Sequence, residues 1–217
     1  MQPPRPLLRF LAVFSVVYGL LIAPWPGWNA AYSAYFRGLS AGVFSTSGPN
    51  AFVHFDAAPA GAALDTQVHL ANPRNADARG DGPVKLLSLD SRGLGWIPTA
   101  LFLALWAATA LTPRRRAITG AAGLLALHVY LLACVGSALL NEASGADPAS
   151  FIRLGPALKR VSEGLEETLV NQVGASFVVP VVLWLLLCLG SGQWAGIERQ
   201  LARPQRGPLS GSSARAD

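Results

Sequence analysis

The sequence predicts a membrane all-α protein: four transmembrane helices with a small extracytoplasmic α+β segment of three short antiparallel strands plus interfacial helices. Three observations lead there. Of 217 residues, 52% are hydrophobic and only 13% charged, where ordinary globular domains carry about a quarter charged residues. The charge deficit is gathered into separate stretches rather than spread evenly. Two of these, Gly95–Leu111 and Ala117–Leu140, contain no Asp, Glu, Lys or Arg and flank Arg114, Arg115 and Arg116. An apolar helix needs about 20 residues to cross a hydrocarbon layer about 30 Å thick, and a basic tip between two such runs reads as a hairpin whose turn stays in the cytoplasm.

Residues 1–23 form the first expected span, an uncleaved signal anchor over Leu7–Ala23, with Arg5 and Arg9 at its start and Trp25 and Trp28 suited to an interface just after it. Residues 24–94 are the larger outer segment. Tyr32, Tyr35, Phe36, Leu39, Val43 and Phe44 recur at helical spacing and predict an interfacial helix from about Ala30 to Phe44, which Ser45–Asn50 breaks. Three strands follow, Ala51–Asp56, Thr66–Ala71 and Val84–Asp90, separated by turn-rich sequence. Residues 95–140 are the two-span hairpin. Residues 141–172 hold a helix opened by Asp147-Pro148 and, after Gly155-Pro156, an amphipathic helix with Leu158, Val161, Leu165 and Leu169 on one face. Residues 173–194 are the fourth span, kinked at Pro180. Residues 195–217 are rich in Arg, Pro, Gly and Ser and read as a disordered cytoplasmic tail.

Charge placement orients these spans. With both termini inside, the inner segments carry Arg5, Arg9, the arginine triplet, Arg199, Arg203, Arg206 and Arg215 against only Glu198 and Asp217. That asymmetry predicts a multi-pass protein of a bacterial inner membrane with both termini cytoplasmic. Its partners are then the lipid bilayer and a partner membrane protein. The net charge of +5 does not point to nucleic acid, because the basic residues sit at span edges rather than in one patch interleaved with aromatics. Oligomeric state is not legible, and no cofactor is expected.

Few residues carry candidate chemistry. Cys134 and His128 share the third expected span, but six residues is about 600° of helical rotation, so they cannot form a direct dyad. His128 is an ionisable group in an apolar run, which marks it for attention. Asp90 and Arg92 stand where the last strand meets the next helix; they either fix that junction or line a binding crevice. His54 and His69 each follow a valine in neighbouring expected strands. In the right register they converge with Asp56 as possible zinc or copper ligands. Solvent-facing histidines are the alternative, and no metal is assigned from spacing alone.

Two stretches carry a family likeness. Ala133-Cys134-Val135-Gly136-Ser137 resembles the Ala-Cys-Ser-Gly nucleophile stretch of exosortases, which implies a thiol nucleophile at Cys134. That family also needs an arginine and a histidine on later segments; here Arg153 and Arg160 follow but no histidine comes after His128. Leu89 to Thr99, followed by an apolar run and Arg114–Arg116, resembles small membrane proteins associated with exosortase-type envelope sorting systems. This likeness covers about half the chain and implies an accessory role without catalytic residues. The expectation is therefore a non-enzymatic accessory or assembly protein that binds a partner membrane protein or secreted cargo. The alternative is a membrane thiol enzyme using Cys134 or a metal-dependent one using His54 and His69.

Overall fold

The arginine triplet opens the longest helix among the described residues. A computed structural model describes residues 5–77, 82–145, 147–167 and 174–189. Helices α1 (Arg5–Ile22) and α2 (Trp28–Phe44) precede four strands, β1 (Thr46–Gly48), β2 (Ala51–Ala57), β3 (Thr66–Ala71) and β4 (Val84–Leu89). A π-helical turn over Arg92–Trp96 then leads into α3 (Ile97–Ala108), α4 (Pro113–Ala143), α5 (Pro156–Glu166) and α6 (Ala175–Trp184), and a second π-helical turn covers Leu185–Leu189. Pro113 sits in the first turn of α4, where its missing N–H costs nothing, and Thr112 before it is extended.

The strands form one antiparallel sheet in the order β1-β2-β3-β4. Alternation sets its two faces. Val53 and Phe55 of β2 lie opposite Leu70 and Val68 of β3, and Thr66 of β3 lies opposite Leu89 of β4; all six are buried. The other face carries His54, Asp56, His69, Leu86 and Ser88 outward. The inner face is covered by Phe36 of α2 and by Leu131, Cys134, Val135, Ala138 and Leu139 of α4, which together make the main core. Lys85 of β4 reaches across to pair with Glu142 near the end of α4, tying the far corner of the sheet to the helix. In the β2–β3 loop Gly61 takes φ 88°, and Gly27 takes φ 75° just before α2, two left-handed positions that a side chain would strain.

The second layer is helical and centres on α3. Ala100, Leu101, Phe102, Ala104 and Leu105 of α3 are buried, with α1, α4 and α6 packed around them. Gly120 and Gly123 of α4 make the closest approach possible: a Cβ on Gly123 would stand 1.9 Å from Cζ of Phe102, and one on Gly120 2.9 Å from the Trp106 ring. Phe10 stacks on Phe14 at 6.5 Å and meets the ring of Trp184 of α6 at 6.0 Å, tilted by 38°, closing α1 against α6.

This architecture corrects the expected fold class. Among the described residues only α4 is long and apolar enough to cross a membrane, judged by length and composition. The run Gly95–Leu111 divides into the end of a π-helical turn and a helix of 12 residues that stops at Thr109, whose backbone turns extended at ψ 131°. The apolar parts of the first and fourth expected spans, Leu7–Ile22 and Ala175–Cys188, are likewise short. The chain is therefore an α+β protein with a four-stranded sheet, not an all-α protein of four transmembrane helices. The multi-pass inner-membrane placement with both termini cytoplasmic falls with it, because one crossing-length helix cannot trace that path. The physical reason lies in α3: a helix that is apolar on every side can be buried by neighbouring helices as well as by lipid. Its lack of charge is explained by its central position.

Three smaller expectations also change. Thr46–Gly48, read as part of a breaker, is an edge strand joined to β2 through Pro49-Asn50, with Gly48 paired to Ala51. Asp147-Pro148 starts no helix; the Asp147 carboxylate instead accepts the Ala149 N–H at 2.8 Å in a turn. The amphipathic helix α5 forms, yet Leu158 and Val161 of its apolar stripe are exposed while Ser162 is buried. The expected tail, 195–217, lies outside the described residues.

Candidate functional site

Trp28, Tyr32 and Tyr35 follow one another at spacings of four and three, so one face of α2 is aromatic. That face meets Trp96 at the end of the π-helical turn and Leu127, His128 and Leu131 on α4. Between them lies an open cleft of about 330 Å³. Its rings touch in sequence: Trp28 and Trp96 have centroids 5.0 Å apart, Tyr32 and Trp96 5.3 Å, Tyr32 and Tyr35 5.9 Å, Tyr35 and His128 6.0 Å. These separations are those of edge-to-face and tilted aromatic pairs, which hold one another in place. Gly95 is required here, since a Cβ at that position would come within 2.3 Å of the Tyr32 hydroxyl.

The polar groups of the cleft are largely paired among themselves. Nδ1 of His128 lies 2.6 Å from the Leu124 carbonyl oxygen, which can only accept, so Nδ1 carries the proton. In that tautomer Nε2 accepts a hydrogen bond from the Tyr35 hydroxyl. His128 thus serves to orient Tyr35 at the cleft wall. Burial, with smaller contributions from Tyr35 and Asp65, holds the Tyr32 phenol well above its ordinary value of 10.0, and contact with Thr99 opposes this only weakly. The neutral phenol is the form the folded protein favours. Its contribution to stability is complete below about pH 10 and is lost progressively as the pH rises above that value. Denaturant unfolding between pH 9 and 11.5 should show this loss, and Tyr32→Phe should remove it. An unchanged pH dependence in the Tyr32→Phe protein would place the alkaline sensitivity elsewhere.

Beside the cleft, the strand-to-helix junction is built around Asp65. Its carboxylate accepts the Ser91 N–H at 3.1 Å, the Ser91 hydroxyl at 2.5 Å and the Thr66 hydroxyl at 3.0 Å. Asp90 and Arg92 belong to the same junction. Asp90 accepts the Arg92 N–H at 3.0 Å, and Arg92 donates to the Ile22 carbonyl at 3.1 Å. Trp96 donates to the adjacent Leu21 carbonyl at 3.0 Å, so cation and indole together satisfy the last carbonyls of α1. Asp90 and Arg92 also line a separate polar crevice of about 440 Å³ with Arg37 and Asp65. The pair thus stands both at the strand-to-helix junction and on the wall of that crevice.

The other candidates fall on different surfaces. Cys134 is fully buried in the core under the sheet, while His128 faces the cleft, so the helix separates them. His54 and His69 are directly paired across β2 and β3, and Asp56 stands beside both, on the exposed face of the sheet. The aromatic wall and Asp65 were not singled out from sequence. The spacing of Trp28, Tyr32 and Tyr35 was the available signal; Asp65 lay in a turn and offered none.

The fold and cleft define the class of this chain: an α+β protein whose antiparallel sheet and apolar helical layer share one long helix, with an aromatic-lined cleft at their junction. Comparison with models of known families, with characterised proteins and with solved structures finds no match.

Proposed function

We propose that this chain is a non-enzymatic accessory protein that binds an apolar segment of a secreted cargo or partner membrane protein in an envelope sorting or export system. The observation that carries this reading is the aromatic cleft. Concave, mainly apolar sites with few polar groups are the usual form of a binding pocket, and Trp and Tyr are the side chains that most often dominate binding energy. The cleft's size of about 330 Å³ suits one or two apolar side chains of an extended segment. Its histidine is engaged on both ring nitrogens and its nearest cysteine is buried in the core, which favours binding over turnover. The stretch from Leu89 to Thr99 that resembles exosortase-associated proteins supplies Gly95, Trp96 and Thr99 to this cleft. The exposed Leu158 and Val161 of α5 offer a further apolar contact for a partner.

A photo-crosslinking residue in place of the exposed Ala31, at the cleft edge, tests this in the native host. One adduct of defined mass is expected, and its yield should fall by about 10–100-fold in a Trp28→Ala/Tyr35→Ala protein of unchanged far-UV circular dichroism. An adduct that persists in that variant removes the cleft from the interaction. Loss of a chemical turnover in Cys134→Ala or His128→Ala, with the protein still accumulating, would replace the accessory reading with an enzymatic one.

A further inference from the structure

Two of the chain's three histidines meet on the outer face of the sheet, away from the aromatic cleft. His54 is the register partner of His69, and Asp56 lies two residues along β2 on the same face. The Asp56 carboxylate sits between the imidazoles: Oδ1 is 3.4 Å from Nε2 of His54 and Oδ2 is 3.4 Å from Nε2 of His69. The side chains are 56%, 32% and 50% exposed for His54, His69 and Asp56. A solute can therefore reach all three. The backbone beneath them is held by strand pairing on both sides of β3, and the Phe52 ring lies 6.1 Å from His54.

We propose that His54, Asp56 and His69 form a site for a divalent transition-metal ion of zinc type. The donor set is two imidazoles and one carboxylate, which suits borderline ions such as zinc and copper and leaves a further position open. Each imidazole nitrogen lies 3.4 Å from one oxygen of the same carboxylate, near the ~3.3 Å that two ligand atoms keep at the tetrahedral angle with bonds of about 2.05 Å, though the two contacts use different oxygens. As they stand the donors do not surround one point, and no ready chelating group of three occurs among the described residues. Each imidazole is instead engaged with its own carboxylate oxygen. Rotation of the half-exposed side chains is needed to bring the three donors onto one ion, and the cation would replace two weak contacts with three coordinate bonds. All three side chains lie on the exposed face of the sheet, so a water or a side chain of another protein can complete the shell.

The test is titration of the full-length protein, freed of any affinity-tag histidines, with Zn²⁺ alone, followed by calorimetry and by the visible absorption of bound Co²⁺. One equivalent is expected per chain. His54→Gln/His69→Gln should weaken binding by at least about 100-fold and Asp56→Asn by about 10-fold, while His128→Ala leaves it unchanged. His54→Gln alone serves should the double variant fail to fold. Cu²⁺ is the second probe and should bind more tightly at the same residues. Equal Zn²⁺ binding by the histidine variants, or no binding by the unaltered protein at millimolar Zn²⁺, overturns the proposal. Neither result touches the cleft on α2 and α4.

Discussion

Replacing Phe102 with alanine is expected to lower the unfolding free energy by about 3–5 kcal/mol. Phe102 is fully buried at the centre of the helical layer, and its ring lies directly over Gly123 of α4. Removing it loses the transfer of a large apolar side chain and leaves a void that three surrounding helices cannot all move to fill. The reciprocal change is equally informative. Gly123→Leu drives a side chain into the ring at a position where even a Cβ stands 1.9 Å from Cζ, and overpacking of this kind costs about 1–3 kcal/mol or more. The two changes share one space. The double variant Phe102→Ala/Gly123→Leu should therefore recover part of the loss, a non-additivity that denaturant unfolding of the four proteins would measure. Strict additivity would mean that Phe102 and Gly123 do not meet.

The second large effect is expected at Asp65. Asp65→Ala removes three hydrogen bonds at once and leaves the N–H of Ser91 and the hydroxyls of Ser91 and Thr66 without this acceptor, at residues only 1% and 0% exposed. Bonds to a charged acceptor contribute about 1.5–3 kcal/mol each, and an orphaned buried donor costs its desolvation, so a loss of about 2–4 kcal/mol is expected after relaxation. Asp65→Asn keeps one acceptor oxygen and should lose about half as much. Hydrogen exchange at the Ser91 amide is the local readout. It should accelerate in Asp65→Ala more than exchange at the core strands β2 and β3. Uniform acceleration across the protein would instead assign the loss to global instability.

Much of the local structure was legible in the chain. The helix over Trp28–Phe44 and the strands β2, β3 and β4 follow from spacing that a half-buried element imposes on its own residues. The alternation of Val53, His54, Phe55 and Asp56 carries both the buried face and the exposed face of β2, which is why His54 and Asp56 could be placed on one side before any pairing was known. Their meeting with His69 needed a register, and the register follows from which residues of two distant segments are buried together. Cys134 shows the limit from the other side. Its neighbours in sequence suggested a nucleophile, whereas in space it belongs to one apolar core with Phe36 and the buried face of the sheet.

Read alone, the chain determined where many of its apolar runs lie, where α2 and strands β2, β3 and β4 run, and which few side chains can carry chemistry, because each of these is a property of residues close together in sequence. What covers an apolar face was decided only by the tertiary structure. A run without charge is equally consistent with lipid and with protein around it, since both remove it from water at similar gain. For α3 the cover is protein: α1, α4 and α6 pack on it. The same long-range packing brought Trp96 against Tyr32 and opened the aromatic cleft between segments that share no pattern in sequence.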